Sequence, residues 1–247
     1  HPAAPPPLTI RLLGGFEIFL AGWPVDLSSV RPRARALLRL LCLNAGSAIH
    51  HEVIEALLWP EADREASSRN LHVAVASLRR ILEPGSARGS FQLLRREGDA
   101  YRLALADGAE VDLLRYERAL AAGRLAAEHG DDDGAVTWYA EALEAYGGDL
   151  LPEDGPAEWV ADRREEARLG TVEASQWIAE IHLRRGDTEG AARAATAGLR
   201  IERYHDPLWR LLIRSRDEAG DQGAASRARS AYDQMLSELG VQPTALT

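Results

Sequence analysis

Apolar residues alternate with polar or turn-forming ones over residues 8–13 and 16–20, and Gly14-Gly15 breaks the run between them. The chain therefore opens as a small sheet, with a further turn at Ala21-Gly22. The period then lengthens. Leu37, Leu38, Leu40, Leu41 and Leu43 share one face of a helix starting near Pro32, with Ser28 or Ser29 as its cap and Asn44-Ala45-Gly46 as its end. A second helix is expected over 51–59, where Val53, Ile54, Leu57 and Leu58 are apolar and Pro60 stops it. A third follows Ser67 or Ser68. Beyond Pro84-Gly85, strand-like runs at 91–95 and 101–105 flank Glu97-Gly98-Asp99-Ala100, the pattern of a hairpin.

A small sheet, three helices and a closing hairpin are the parts of a winged helix-turn-helix. Its third helix, 69–82, carries the most information. Placed at 100° per residue, Leu71, Val75, Leu78 and Leu82 fall within about 40° of one direction and form the stripe to be buried. Arg69, Val73, Ala76 and Arg80 point the other way, flanked by His72 and Ser77. Two guanidiniums around small side chains suit a DNA major groove about 12 Å wide. Arginine reaches guanine edges or phosphates there, and Val73 or Ala76 allows contact with a thymine methyl. A solvated amphipathic helix is the alternative reading. Arg79 is expected to face phosphate or to be structural, and Arg95 and Arg96, beside the hairpin tip, to serve the wing at phosphate or the minor groove.

After Ala106-Asp107-Gly108 the chain changes to Ala, Glu, Arg and Leu at helical spacing, which places a domain boundary near Gly108. Helices are expected over 113–128, 134–145, 156–185, 188–203, 207–219 and 222–239. Gly186-Asp187, followed by Ala191-Ala192, recurs as Gly220-Asp221, followed by Ala224-Ala225; the Gly-Asp pairs are offset by 34 residues, the tetratricopeptide period. Gly130-Asp131 with Ala135 begins an earlier copy, after which an insertion breaks the spacing. The fold class is therefore mainly α. An α+β winged helix-turn-helix over 8–107 precedes an all-α, tetratricopeptide-like repeat over 108–247, and residues 1–7 read as a linker or trimmed end.

Charge separates the same two parts. Residues 1–105 carry 13 Arg against 10 acidic residues, net +3, and residues 106–247 carry 16 Arg against 28, net −12, which together give the −9 of the chain. Only the first part is a candidate for nucleic acid, because screening over about 8 Å isolates a local basic face from distant acids. All 29 basic residues are Arg, so P-loop, Schiff-base and general-base lysines are excluded. The single cysteine, Cys42, forms no internal disulfide and sits among apolar neighbours, which suits a reducing cytoplasm and not a nucleophile. His50-His51-Glu52 with Glu55 is not HExxH, since adjacent helical side chains diverge by about 100°. Asp131-Asp132-Asp133-Gly134 lacks the alternating ligands of a calcium loop and reads as an acidic helix start. Trp59, Trp159 and Trp209 read as packing residues. No run matches the roughly 18 apolar residues of a membrane span. No cofactor, metal or enzymatic site is expected.

Leu12-Leu13-Gly14 with Phe16-Glu17, Arg35-Ala36-Leu37-Leu38, Leu58-Trp59-Pro60, Leu78-Arg79-Arg80, Ala100-Tyr101-Arg102-Leu103 and Val111-Asp112 resemble, in order and spacing, the DNA-binding domain of Streptomyces antibiotic regulatory protein (SARP) activators. That domain is a variant of the OmpR-type winged helix. The resemblance implies that the third helix enters the major groove of double-stranded DNA and that the hairpin is the wing. It also implies a basic residue near phosphate at the start of the second helix, where His50 and His51 stand; a hydrogen-bonding cap is the other reading of that pair. Tyr146-Gly147-Gly148-Asp149-Leu150-Leu151 before Trp159, Ala231-Tyr232, and Glu238-Leu239-Gly240-Val241-Gln242-Pro243 resemble the bacterial transcriptional activator domain that follows in SARP-type proteins. The implied function is a transcriptional activator acting at promoter repeats, a homodimer on DNA whose helical domain supports self-association and contacts RNA polymerase. The alternative is a signal-receiving or protein-interaction fragment of a larger regulator, whose repeat binds a ligand or partner.

Overall fold

The computed structural model describes residues 7–87 and 89–241. Most of residues 1–7, read as a linker, and Gln242-Pro243 of the family resemblance lie outside them. The chain divides into two compact units, residues 1–114 with 147–164, and residues 115–146 with 165–247.

The first unit begins with β1 (Leu8–Arg11), β2 (Glu17–Leu20) and β3 (Trp23–Pro24), followed by α1 (Pro32–Leu43), β4 (Ala48–His50), α2 (His51–Leu58) and α3 (Arg64–Leu82). Then come β5 (Leu94–Glu97), β6 (Ala100–Leu103) and β7 (Glu110–Val111). Two small sheets result, ordered β3-β2-β1-β7 and β4-β6-β5. The expected opening sheet is present with shorter strands. β7 adds to it in parallel, pairing Ile10 with Val111, a non-local contact that no short-range pattern announces. β4 likewise joins the hairpin, with Ile49 opposite Tyr101. The hairpin lies about three residues later than its first strand was expected. Glu97 pairs with Ala100 around a Gly98-Asp99 turn, while the Glu83 carboxylate accepts from Gln92 and Leu94 N–H and holds the approach outside the ladder.

Two helix starts also differ. α1 has Arg31 as its N-cap, with no side-chain cap, and Pro32 supplies a first position that needs no hydrogen bond. Ser28 instead donates its N–H to Asp26, in the turn before. α3 begins at Arg64, more than a turn before the expected start, because the Asp63 carboxylate accepts from Ala66 N–H at 2.7 Å. In α2 only Ile54, Glu55 and Leu58 are buried, while Val53 and Leu57 of the expected apolar face are exposed. The leucine face of α1 and the stripe Leu71, Val75, Leu78 and Leu82 of α3 are buried as expected.

Residues 147–164 return to this unit, an excursion outside a boundary near Gly108. Gly14 N–H donates to Asp149 O, Leu151 N–H to Leu12 O, and Leu13 bridges Leu150. The approach is close enough to demand glycine on both sides: a Cβ on Gly14 would lie 2.5 Å from Gly147 O, and one on Gly147 2.8 Å from Leu13 O. A short 3-10 turn (Pro152–Asp154) then brings Asp154 against Arg39 in a two-bond ion pair at 2.5 and 2.6 Å. Both side chains are largely buried, at 12% and 6% exposure.

The second unit is helical. α4 (Asp112–Glu128) and α6 (Glu158–Arg184) run into it from the first, and α5 (Asp132–Ala145), α7 (Thr188–Ile201), α8 (Asp206–Glu218) and α9 (Gln222–Glu238) lie within it. The expected helices are all present to within a few residues. Each Gly-Asp signal is one device. Gly130, Gly186 and Gly220 end a helix at φ of +72°, +75° and +73°, and Asp131, Asp187 and Asp221 cap the next by accepting an N–H three residues on. Ala135, Ala191 and Ala225 behind them are buried to 0% exposure, where small side chains let antiparallel helices approach. Trp209 packs against Tyr232 beside Ile213, Met235 and Leu236, as a packing residue should. The fold class is the mainly α one expected.

Candidate nucleic-acid interface

α2, the turn at Pro60 and α3 place the candidate residues. Behind α3, Glu55 is buried and takes Ser67 Oγ as a donor and His51 Nδ1 at 3.0 Å, so the two helices are joined by a polar contact under the apolar packing. His51 is thereby turned inward with 27% of its side chain exposed, while His50 caps α2 by accepting from Glu52 N–H. His50 thus matches the capping reading, while the His51 ring is engaged by Glu55.

On the far side of α3, Arg69, His72, Val73, Ala76 and Arg80 are exposed and Ser77 is half-buried. Val73 is 59% exposed, a large apolar side chain in water amid two arginines. Arg69 makes only a loose ion pair with Glu65 at 3.5 Å, and the Arg80 side chain has no partner among the described residues. Asn70, which the helical wheel did not single out, is also exposed and lies beside Val73 along an open groove of about 740 Å³. Val73, Ser77 and Arg80 line that groove on one side, and Trp59, Arg31 and Arg33 complete it. Arg31 and Arg33 were also missed. Their signal was present as the Arg31-Pro32-Arg33 run before the leucine face of α1, but only the folded chain carries it to α3.

Arg79, next in sequence to Arg80, points elsewhere. Its Nε and Nη2 donate to Leu94 O at 3.0 and 2.9 Å, and its guanidinium lies 4.3 Å from the centre of the Phe91 ring. Burial lowers its pKa from the ordinary arginine value, against the opposing pull of Tyr101 and Glu83. This is the structural alternative for Arg79: it ties α3 to β5. On the hairpin, Arg95 donates to Gln92 O and Oε1, and Arg96 donates to Gly98 O across the turn, half exposed and 3.7 Å from Asp99. The wing arginines are thus already engaged in holding the hairpin.

Among the described residues no group of three or more His, Cys, Asp and Glu is placed to hold a metal, and no helix is long and apolar enough to cross a membrane. Cys42 is fully buried, and burial pushes its thiol pKa up, away from the reactive thiolate.

Comparison with known proteins gives this geometry its context. Residues 26–103 match the family described as transcriptional regulatory protein, C terminal, and residues 111–247 match the bacterial transcriptional activator domain. The regulatory protein DnrI of Streptomyces peucetius is 27% identical over 96% of this chain and 88% of its own length. The transcriptional regulatory protein MoaR1 of Mycobacterium tuberculosis is 24% identical over 94% of this chain and 74% of its own. The solved structure of Mycobacterium tuberculosis EmbR in complex with a low-affinity phosphopeptide superposes with a TM-score of 0.76 at 25% identity, covering 97% of this chain. This chain spans 62% of that one. An OmpR-like domain, a bacterial transcriptional activator domain over more than half of the chain, and regulators as relatives make this a DNA-binding transcriptional regulator that belongs to the SARP-type activator family.

Proposed function

We propose that this protein activates transcription by binding promoter repeats sequence-specifically, with α3 in the major groove and the β5–β6 hairpin at the flanking backbone. The single observation that carries the reading is the face of α3 on which Arg69 and Arg80 bracket Val73 and Ala76, all four of them exposed. Arginine pairs bidentately with guanine, and the small residues between admit the helix to the base edges. Arg69, His72, Val73, Ser77 and Arg80 are the base-facing residues of this proposal. Arg95 and Arg96 serve the wing only by giving up some of their internal contacts.

One module of net +3 attached to a strongly acidic remainder binds weakly alone. Two copies on adjacent half-sites gain through effective concentration, so the active species on DNA is a homodimer. The acidic repeat domain is the surface for self-association and for RNA polymerase.

Selection from a randomised duplex pool, followed by fluorescence anisotropy at two salt concentrations, tests the reading. Wild type should enrich a motif in a salt-dependent way, and Arg80→Ala should lose about 1–3 kcal/mol and relax preference at one base position. Equal loss on specific and random duplexes would demote Arg80 to a phosphate contact. No enrichment and a flat salt response would defeat the DNA reading and favour the repeat domain as a receiver of ligands or partners.

A further inference from the structure

The unpartnered cations next to α3 are not where the hairpin would put them. Arg95 and Arg96 are bonded to Gln92, Gly98 and Asp99. Arg31 and Arg33, at the start of α1, are exposed, and their side chains have no hydrogen bond or ion pair among the described residues. They share one groove with Val73, Ser77 and Arg80, and no carboxylate lines it. The rest of the groove is Ser29, Trp59, Asn70 and small or apolar positions. Such a trough, cationic on both walls and continuous with the face that enters DNA, complements a phosphodiester strand.

We infer that Arg31 and Arg33 form a phosphate clamp: with α3 in the major groove, one strand of the bound duplex runs along this groove and its backbone phosphates are held by the two arginines. The inference rests on the DNA-binding reading above. Arg31 and Arg33 set the position of α3 in the groove and read no base. Each removes about one counterion from the duplex on binding, so each carries about 0.9 of the slope of log K against log salt. Their contribution is equal on specific and random sequences, the opposite of what a base contact shows.

The test uses the full chain and the duplex enriched by selection, with anisotropy from 50 to 300 mM salt. Arg31→Ala/Arg33→Ala should make the salt slope shallower by about 1.8 and weaken specific and random duplexes alike, with the enriched motif unchanged. Arg31→Lys/Arg33→Lys should restore most of the slope, since a point charge suffices for a phosphate. Circular dichroism of both variants should match wild type. An unchanged slope in the Ala variant overturns the clamp while leaving α3 as reader, provided Arg80→Ala still relaxes preference. A shifted motif overturns the phosphate assignment in favour of base contact. Failure of wild type to bind any duplex with a salt slope defeats both this inference and the reading beneath it.

Discussion

Arg79 and Arg80 are adjacent on α3 and do different work. The Arg79 fork closes on Leu94 O and lies over Phe91, so Arg79→Ala removes a charge-assisted bond and a cation–π contact at once. It should lower unfolding free energy in urea by about 1–3 kcal/mol. Arg80→Ala, at an exposed position with no partner, should change stability by less than about 0.5 kcal/mol while affecting DNA binding. Equal effects of the two substitutions on stability would refute this division. Helical periodicity alone indicates that Arg80 faces away from the stripe Leu71, Val75, Leu78 and Leu82, and it correctly exposes Arg69, His72, Val73 and Ala76. It does not reveal the partner of Arg79, because Leu94 arrives from fifteen residues on. His51 follows the same rule: its place at the start of α2 was legible, its inward contact with Glu55 was not.

Among the elements, the helices of the second unit were the most legible, because their signals are local. A left-handed glycine, a capping aspartate three residues before the bonded N–H, and an alanine packed behind recur at three places. At Asp187 the Gly190 N–H holds the carboxyl below the ordinary aspartate range, with His182 acting in the same direction. A carboxylate whose folded pKa is depressed stabilises the fold above its unfolded value of about 3.9, and that stability is lost as the pH falls through the folded value. Asp187→Asn keeps a capping oxygen but cannot ionise. The gap between wild type and this variant in urea midpoint should therefore be closed near pH 2 and open as the pH rises to 5; a gap independent of pH would show that ionisation of Asp187 contributes nothing. Strands were less legible. β3, β4 and β7 are two or three residues long; β3 is made by a tight turn back onto β2, whereas pairing with distant chain is what makes β4 and β7 strands.

At the scale of the whole molecule, residues 147–164 belong by packing to the winged-helix unit although they lie in the region matched by the activator domain. Asp154 is the point to probe. Asp154→Ala leaves Arg39 as a largely buried charge without its counterion, and should cost about 3–5 kcal/mol of unfolding free energy. A loss within about 0.5 kcal/mol would mean that the return segment does not stabilise the unit. The sequence by itself determined the order of helices, the repeated caps, the buried leucine faces and the side of α3 that meets solvent. Each of these follows from periods and turns only a few residues long. The tertiary structure alone decided which cations stay free, that β7 pairs with β1 and β4 with β6, and that Gly14 meets Gly147. Those outcomes depend on segments far apart in the chain closing on one another, and a guanidinium is available to a ligand only when no carbonyl or carboxylate brought in by that closure has already taken it.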